Sequence, residues 1–148
     1  MKVFLDTNVI ASATATRGLC SDVFRTVFEF HDLIVSEHLF DELRRILRDK
    51  FGATPTMIAD VIWLLQQDTI LAASKPFAEV RLKDPADIAI VSAAINGSAD
   101  ILVTGDKEIL DLKSVDTLKI ITPRQFWDTE RGQPKCRRPA PPQHNSWA

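Results

Sequence analysis

The sequence has little of what marks a special architecture. Only two cysteines, Cys20 and Cys136, occur in 148 residues, and they do not form a CxxC pair. This excludes a disulfide framework and a zinc ribbon, and makes reduced, cytoplasmic chemistry the expectation. Five glycines rule out a collagen-like repeat, and 45% apolar content rules out a wholly disordered chain. No run approaches 18 uncharged apolar residues, so no membrane span and no membrane partner are expected. There is no GxGxxG for a dinucleotide and no HExxH, and His31, His38 and His144 do not have zinc spacing. The N-terminus shares the outline of an export signal: Lys2, an apolar run, then Ala13-Thr14-Ala15. Asp6 and Asn8 interrupt that run, which reads better as a first core strand.

What is present fits one domain with a real core. The net charge of −2 is unevenly spread. Residues 129–148 hold Arg131, Lys135, Arg137 and Arg138 against Glu130, leaving 14 basic and 19 acidic groups elsewhere. An acidic body gives no general reason to bind nucleic acid, so such binding needs local basic patches, a metal or the tail. The tail also holds four of the eight prolines. It is expected to be extended and mobile from residue 129, with 1–128 forming the folded domain.

Along the body, short apolar runs alternate with helical spacing. Strands are predicted at 3–5, 33–35, 69–73, 101–103 and 119–121. Helices are predicted at 21–30 (capped by Ser21 or Asp22), 36–50, 54–67, 85–95, 106–110 and 122–127. Short, wholly apolar strands alternating with helices imply a parallel sheet covered on both faces. Its working site lies beyond the carboxyl ends of the strands.

Four acids fall on that edge or beside it. Asp6 ends the first strand, Asp106 follows the fourth after Thr104-Gly105, Asp87 opens a helix with Asp84 three residues earlier, and Glu42 lies on the second helix. Most of them have an ordinary explanation when taken singly. Asp87 suits a helix N-terminus, Asp106 suits an N-cap, and Glu42 suits a solvated face beside Arg45. Asp6 is harder to explain, because an acid between two apolar runs needs a partner. Gathered in one cleft, carboxylates repel by about 4 kcal/mol per pair 4 Å apart at an effective dielectric near 20. A hard divalent cation, Mg2+ or Mn2+, relieves this and supplies the chemistry of phosphodiester hydrolysis.

The same residues resemble a known family. Leu5-Asp6-Thr7-Asn8-Val9 resembles the opening motif of PIN-domain nucleases. Ser36-Glu37-His38-Leu39-Phe40-Asp41-Glu42-Leu43 is similar to the segment carrying that family's glutamate, placed here on Glu42. Asp84-Pro85-Ala86-Asp87-Ile88-Ala89-Ile90-Val91 resembles the third acidic segment, and Leu102-Val103-Thr104-Gly105-Asp106 with Lys107-Glu108-Ile109-Leu110 resembles the fourth. The match runs in order from residue 2 to about 128 and is nearest the VapC-like toxin branch. The resemblance implies an α/β class, three-layer α/β/α fold with a central, mostly parallel sheet of four to five strands. It implies a Mg2+- or Mn2+-dependent endoribonuclease, the toxin of a bacterial toxin–antitoxin pair, leaving 5′-phosphate and 3′-hydroxyl ends. Asp6, Glu42, Asp87 and Asp106 would hold the metal, with Asn8 and Thr104 in support and Asp84 as an extra ligand. The chain departs from the pattern at Ile88 and Ala89, where related sequences often carry further acids.

Arg44, Arg45 and Arg48 on one helix, and Lys75, Arg81 and Lys83 in the loop before Asp87, are candidates to hold an RNA backbone. Phe51, Met57, Ile58, Ile62, Trp63 and Leu65 are candidates for a homodimer or antitoxin surface, although core packing explains most of them equally well. Rival readings are weaker. A haloacid-dehalogenase-type phosphatase needs a second Asp where this chain has Asn8, and a receiver domain needs an acidic pair and a distal lysine pattern that are not visible. A non-catalytic PIN-like module binding RNA or protein is the alternative outside enzymes.

Overall fold

Val3, Phe4 and Leu5 are three apolar residues in a row, a pattern that leaves neither face of a strand suited to water. All three are fully buried in the computed structural model, which describes residues 1–132. They belong to β1 (Lys2–Leu5), one of six strands with β2 (Asp32–Val35), β3 (Ile70–Leu71), β4 (Ile101–Val103), β5 (Ser114–Val115) and β6 (Leu118–Ile121). The sheet order is β3-β2-β1-β4-β6-β5, parallel except for β5. Phe4 pairs in register with Ile34 on one side and Leu102 on the other, and Leu102 in turn with Ile120.

Among the described residues there are seven helices: α1 (Thr7–Ala15), α2 (Leu19–Phe30), α3 (Glu37–Asp49), α4 (Pro55–Leu65), α5 (Pro85–Asn96), α6 (Lys107–Leu110) and, after the last strand, α7 (Pro123–Arg131). The chain steps outward from β1 to β2 and β3, then jumps back across to β4. Right-handed crossovers in these opposite directions put α1 to α4 and α5 on opposite faces. Local chemistry fixes several starts. Ser36 Oγ accepts from Leu39 N–H at 3.1 Å, Thr54 Oγ1 accepts from Met57 N–H at 3.2 Å, and Thr122 with Gln125 forms a reciprocal capping box.

The fold class is as expected, and several elements differ in detail. The sheet has six strands rather than four to five, because β5 adds a two-residue antiparallel edge. The turn into β6 places Asp116 at φ 54, a left-handed position that asparagine and aspartate tolerate. α1 was not expected. Its sequence, Thr7 to Ala15, is uncharged and weakly amphipathic, and its buried residues Val9, Ile10 and Ala11 pack where α1 meets α2 and α3. α2 begins after Gly18, so neither Ser21 nor Asp22 caps it. α7 runs through Arg131, three residues into the segment expected to be extended, because Glu130 is 2% exposed and lies 3.1 Å from His31 Nε2. Cys136, His144 and the basic group Lys135, Arg137 and Arg138 lie outside the described residues. Among the described residues, no helix is long and apolar enough to cross a membrane.

One contact ties the end of α5 to the far side of the sheet. A Cβ built on Gly97 would stand 2.7 Å from Ile34 Cγ2, 3.0 Å from Ala72 Cβ and 3.3 Å from Ala93 O. Ile34 is fully buried and β-branched, so its methyl group has nowhere to swing. Gly97→Ala is therefore expected to cost about 1–3 kcal/mol. A urea titration would show it as a lower midpoint at unchanged slope.

Candidate active site

In an open parallel sheet, the crevice forms where the chain reverses its direction of travel across the strands. Here that point lies between β1 and β4, which neighbour each other although about a hundred residues apart in sequence. Asp6 and Thr104 are the first residues past these two strands. Asp6 N–H donates to Val103 O at 2.9 Å and Thr104 N–H to Ile121 O at 3.0 Å, so the ladder holds both residues in place.

Asp6 is 5% exposed and Thr104 is fully buried. Thr104 Oγ1 donates to Asp6 Oδ2 at 2.6 Å, and Asp106 N–H donates to Thr104 Oγ1 at 3.0 Å. This relay orients the Asp6 carboxylate from the fourth strand, and each bond polarises the next. Burial pushes the Asp6 carboxyl up; the Thr104 hydroxyl and the N–H groups of Thr7 and Asn8 pull it down, while Asp106 pushes it further up. Asn8 thus contributes through its backbone, and its side chain is exposed.

The other acids reach the same place from helix N-termini. Asp106 caps α6, its Oδ1 accepting from Glu108 N–H at 2.9 Å and Ile109 N–H at 3.4 Å, which leaves Oδ2 outside the cap. Asp84 caps α5 through Ala86 N–H at 2.9 Å, and Asp87 stands in the first turn of the same helix. The Asp87 carboxyl is pushed up to about 6, first by desolvation, then by Asp106, Asp84, Asp6 and Glu108. Glu42, on the second turn of α3, is raised by burial and then by Asp6; Arg45 opposes this, and Asp87 and Asp84 add to it. The four acids singled out in the sequence therefore lie within reach of one another's fields, with Asp84 beside them. Glu108 is a further acid at the edge that the sequence reading passed over, although it sits two residues after Asp106.

The donor set suits a hard divalent cation. Among the described residues, no three His, Cys, Asp or Glu side chains converge closely enough to chelate an ion as they stand. Glu42 Oε2 is buried without a hydrogen-bond partner, and His38 Nδ1 stands 3.8 Å from it. A buried carboxylate oxygen in a field of other carboxylates is satisfied by a cation more readily than by any group now beside it.

The basic candidates fall into two groups. Arg44 pairs with Asp41 at 3.0 Å and Arg48 with Asp49 at 2.8 Å, both on exposed surface. Arg45 is exposed near enough to Glu42 to act on it, and Lys83 is exposed beside Asp84. Of the apolar candidates on α4, Ile62 and Leu65 belong to the core, whereas Met57 and Trp63 are 57% and 62% exposed.

Comparison with known proteins identifies the family and the fold. The sequence matches the family model of the PIN domain over residues 2–108. The chain belongs to the PIN-domain family. Its fold is shared with three solved structures. VapBC2 from Rickettsia felis, bound to a DNA fragment from its promoter, is 14% identical with a TM-score of 0.58, covering 82% of this chain and 98% of that one. VapC20 from Mycobacterium tuberculosis, a Sarcin-Ricin loop cleaving toxin, is 10% identical with a TM-score of 0.57, covering 76% and 96%. FitAcB from Neisseria gonorrhoeae is 16% identical with a TM-score of 0.54, covering 82% and 98%. No curated protein sequence matches the chain.

Proposed function

We propose that this PIN domain is a metal-dependent endoribonuclease, the toxin of a toxin–antitoxin pair, acting in the cytoplasm. What supports the reading is that Asp6, Glu42 and Asp87 are each raised in part by other acids at the sheet's switch point: Asp6 by Asp106, Glu42 by Asp6 and Asp87, and Asp87 by Asp106 and Asp6. The shared fold of two VapC-type proteins and FitAcB supports the toxin assignment and an antitoxin partner. The exposed Met57 and Trp63 on α4 are the apolar surface offered to that antitoxin or to a second copy in a homodimer.

In this reading Asp6, Glu42, Asp87 and Asp106 hold Mg2+ or Mn2+, and Asp84 is an additional ligand. Such an ion, when bound, polarises the scissile phosphate and lowers the pKa of a bound water. The protein supplies position and charge. Thr104 keeps the Asp6 carboxylate turned toward its neighbours, and Asp106 spends one oxygen on its helix and keeps the other for the site. The N-termini of α1, α3, α5 and α6 all begin at this edge, so their positive ends favour an anionic phosphate there. Arg45, whose charge acts on Glu42, and Lys83, next to Asp84 in the chain, are exposed cations assigned here to touch the RNA backbone.

The test is metal removal. The purified chain is expected to cut single-stranded RNA in millimolar Mg2+ or Mn2+, to stop in EDTA, and to resume when the metal is restored. Ends should carry 5′-phosphate and 3′-hydroxyl, read by end-labelling. Cleavage that continues undiminished in EDTA would remove the basis of the proposal.

A further inference from the structure

The same edge of the sheet carries a cavity of about 470 Å³ that none of these steps uses. Glu37, His38 and Asp41 of α3 form one wall, and residues 71–74, where the chain leaves β3, form the other. Its volume lies in the range of small-ligand pockets. It adjoins the acids through one side chain. His38 Nδ1 faces inward, 3.8 Å from Glu42 Oε2, while a third of the imidazole stays exposed at the cavity wall. Leu71, Ala72 and Ala73 make the opposite wall apolar, and Ser74 Oγ is buried there without a hydrogen-bond partner.

These features select an occupant. Glu37 and Asp41 repel a phosphate, so the pocket does not suit the RNA backbone. A flat, neutral heterocycle suits it, stacked on an imidazole as unpaired bases stack on aromatic rings. Asp41 is paired through Oδ1 with Arg44, while Glu37, exposed at the start of α3, offers a carboxylate with both oxygens at the rim. A carboxylate accepts hydrogen bonds and donates none. Among the RNA bases, guanine offers two parallel donors on its Watson–Crick edge, N1–H and the N2 amino group, to a single carboxylate.

We propose that this cavity receives an unpaired nucleobase flanking the scissile phosphate, guanine by preference, stacked on His38 and read by Glu37. The inference rests on the nuclease reading for the phosphate beside it. It makes His38 and Glu37 recognition residues outside the metal-holding acids.

Two experiments on the full chain decide it. The first is single-turnover cleavage of oligoribonucleotides that differ only at the base beside the cut. Guanine is expected to give the highest kcat/KM, and His38→Ala to lower it roughly tenfold, chiefly through KM. His38→Phe, which keeps a stacking face, should retain most activity, and Glu37→Gln should erase the preference for guanine over adenine. Metal-dependent cleavage indifferent to the flanking base and to His38 overturns the pocket while leaving the nuclease intact. The second is an NMR titration of the His38 ring with guanosine and with uridine, which needs no cleavage. A saturable shift with guanosine alone supports the pocket even if the chain cuts no RNA. Absence of a shift at saturating guanosine overturns it.

Discussion

Asp6→Asn is expected to lower RNA cleavage by about a thousandfold or more while leaving the fold intact. Asparagine has the same shape, and its side-chain carbonyl can still accept the Thr104 hydroxyl that now reaches Asp6 Oδ2 at 2.6 Å. What disappears is a charge that the fold keeps at 5% exposure, in an environment that already disfavours it. Burial outweighs the hydrogen bonds from Thr104, Thr7 and Asn8, so the charge is a net cost to the metal-free fold. The substitution should therefore leave the thermal transition unchanged or raise it slightly in EDTA, and activity should be lost for a chemical reason rather than through unfolding. Single-turnover kinetics beside circular dichroism would check both halves. Metal-dependent cleavage within tenfold of the parent by a clean Asp6→Asn preparation would exclude Asp6 from the reaction.

Asp87→Asn should separate stability from activity more sharply. The Asp87 carboxyl is raised to about 6 from an ordinary value of 3.8, so the native state binds its proton more tightly than the unfolded chain does. The stability this group contributes is complete below about pH 4 and is lost as pH rises through about 6. At neutral pH the ionised Asp87 is a liability that the metal-free protein carries. The side chain is partly exposed and screened by water, so removing the charge is worth about 1 kcal/mol, or roughly 3 °C in Tm. In EDTA, Asp87→Asn is expected to melt above the parent at pH 7.5 and to converge on it below about pH 4. Added Mg2+ or Mn2+ should raise the parent's Tm and leave the variant's nearly unmoved. A variant that melts below the parent at pH 7.5 in EDTA would show that Asp87 is held by an attraction rather than a repulsion.

Much of the fold and site is legible in the sequence because strong local signals mark them. Val3-Phe4-Leu5, Leu33-Ile34-Val35 and Ile101-Leu102-Val103 have no polar face, and Asp6 and Thr104 directly follow the first and the last of them. The caps at Ser36, Thr54, Asp84 and Thr122 also lie where the residue types put them. The misses share a cause, since tertiary context outweighs composition. α1 contains threonines, serine and alanines with no charged face, and it is helical because Val9 and Ile10 are buried beneath α2 and α3. β5 is two residues long and exists only as a partner for β6. Glu130 reads as part of a polar tail, yet it is buried because His31, a hundred residues earlier, comes to meet it. The His38 cavity is invisible in the same way, for its two walls are thirty or more positions apart.

The pairing of β1 with β4 also sets when this chain can act. During synthesis the amino-terminal strand emerges early, but Asp6 lacks Thr104 and Asp106 until the fourth strand has left the ribosome and settled beside the first. Up to that moment the growing polypeptide holds isolated acids and no cutting centre. On the proposed nuclease reading, a nascent chain therefore cuts no RNA before its fourth strand has paired with its first.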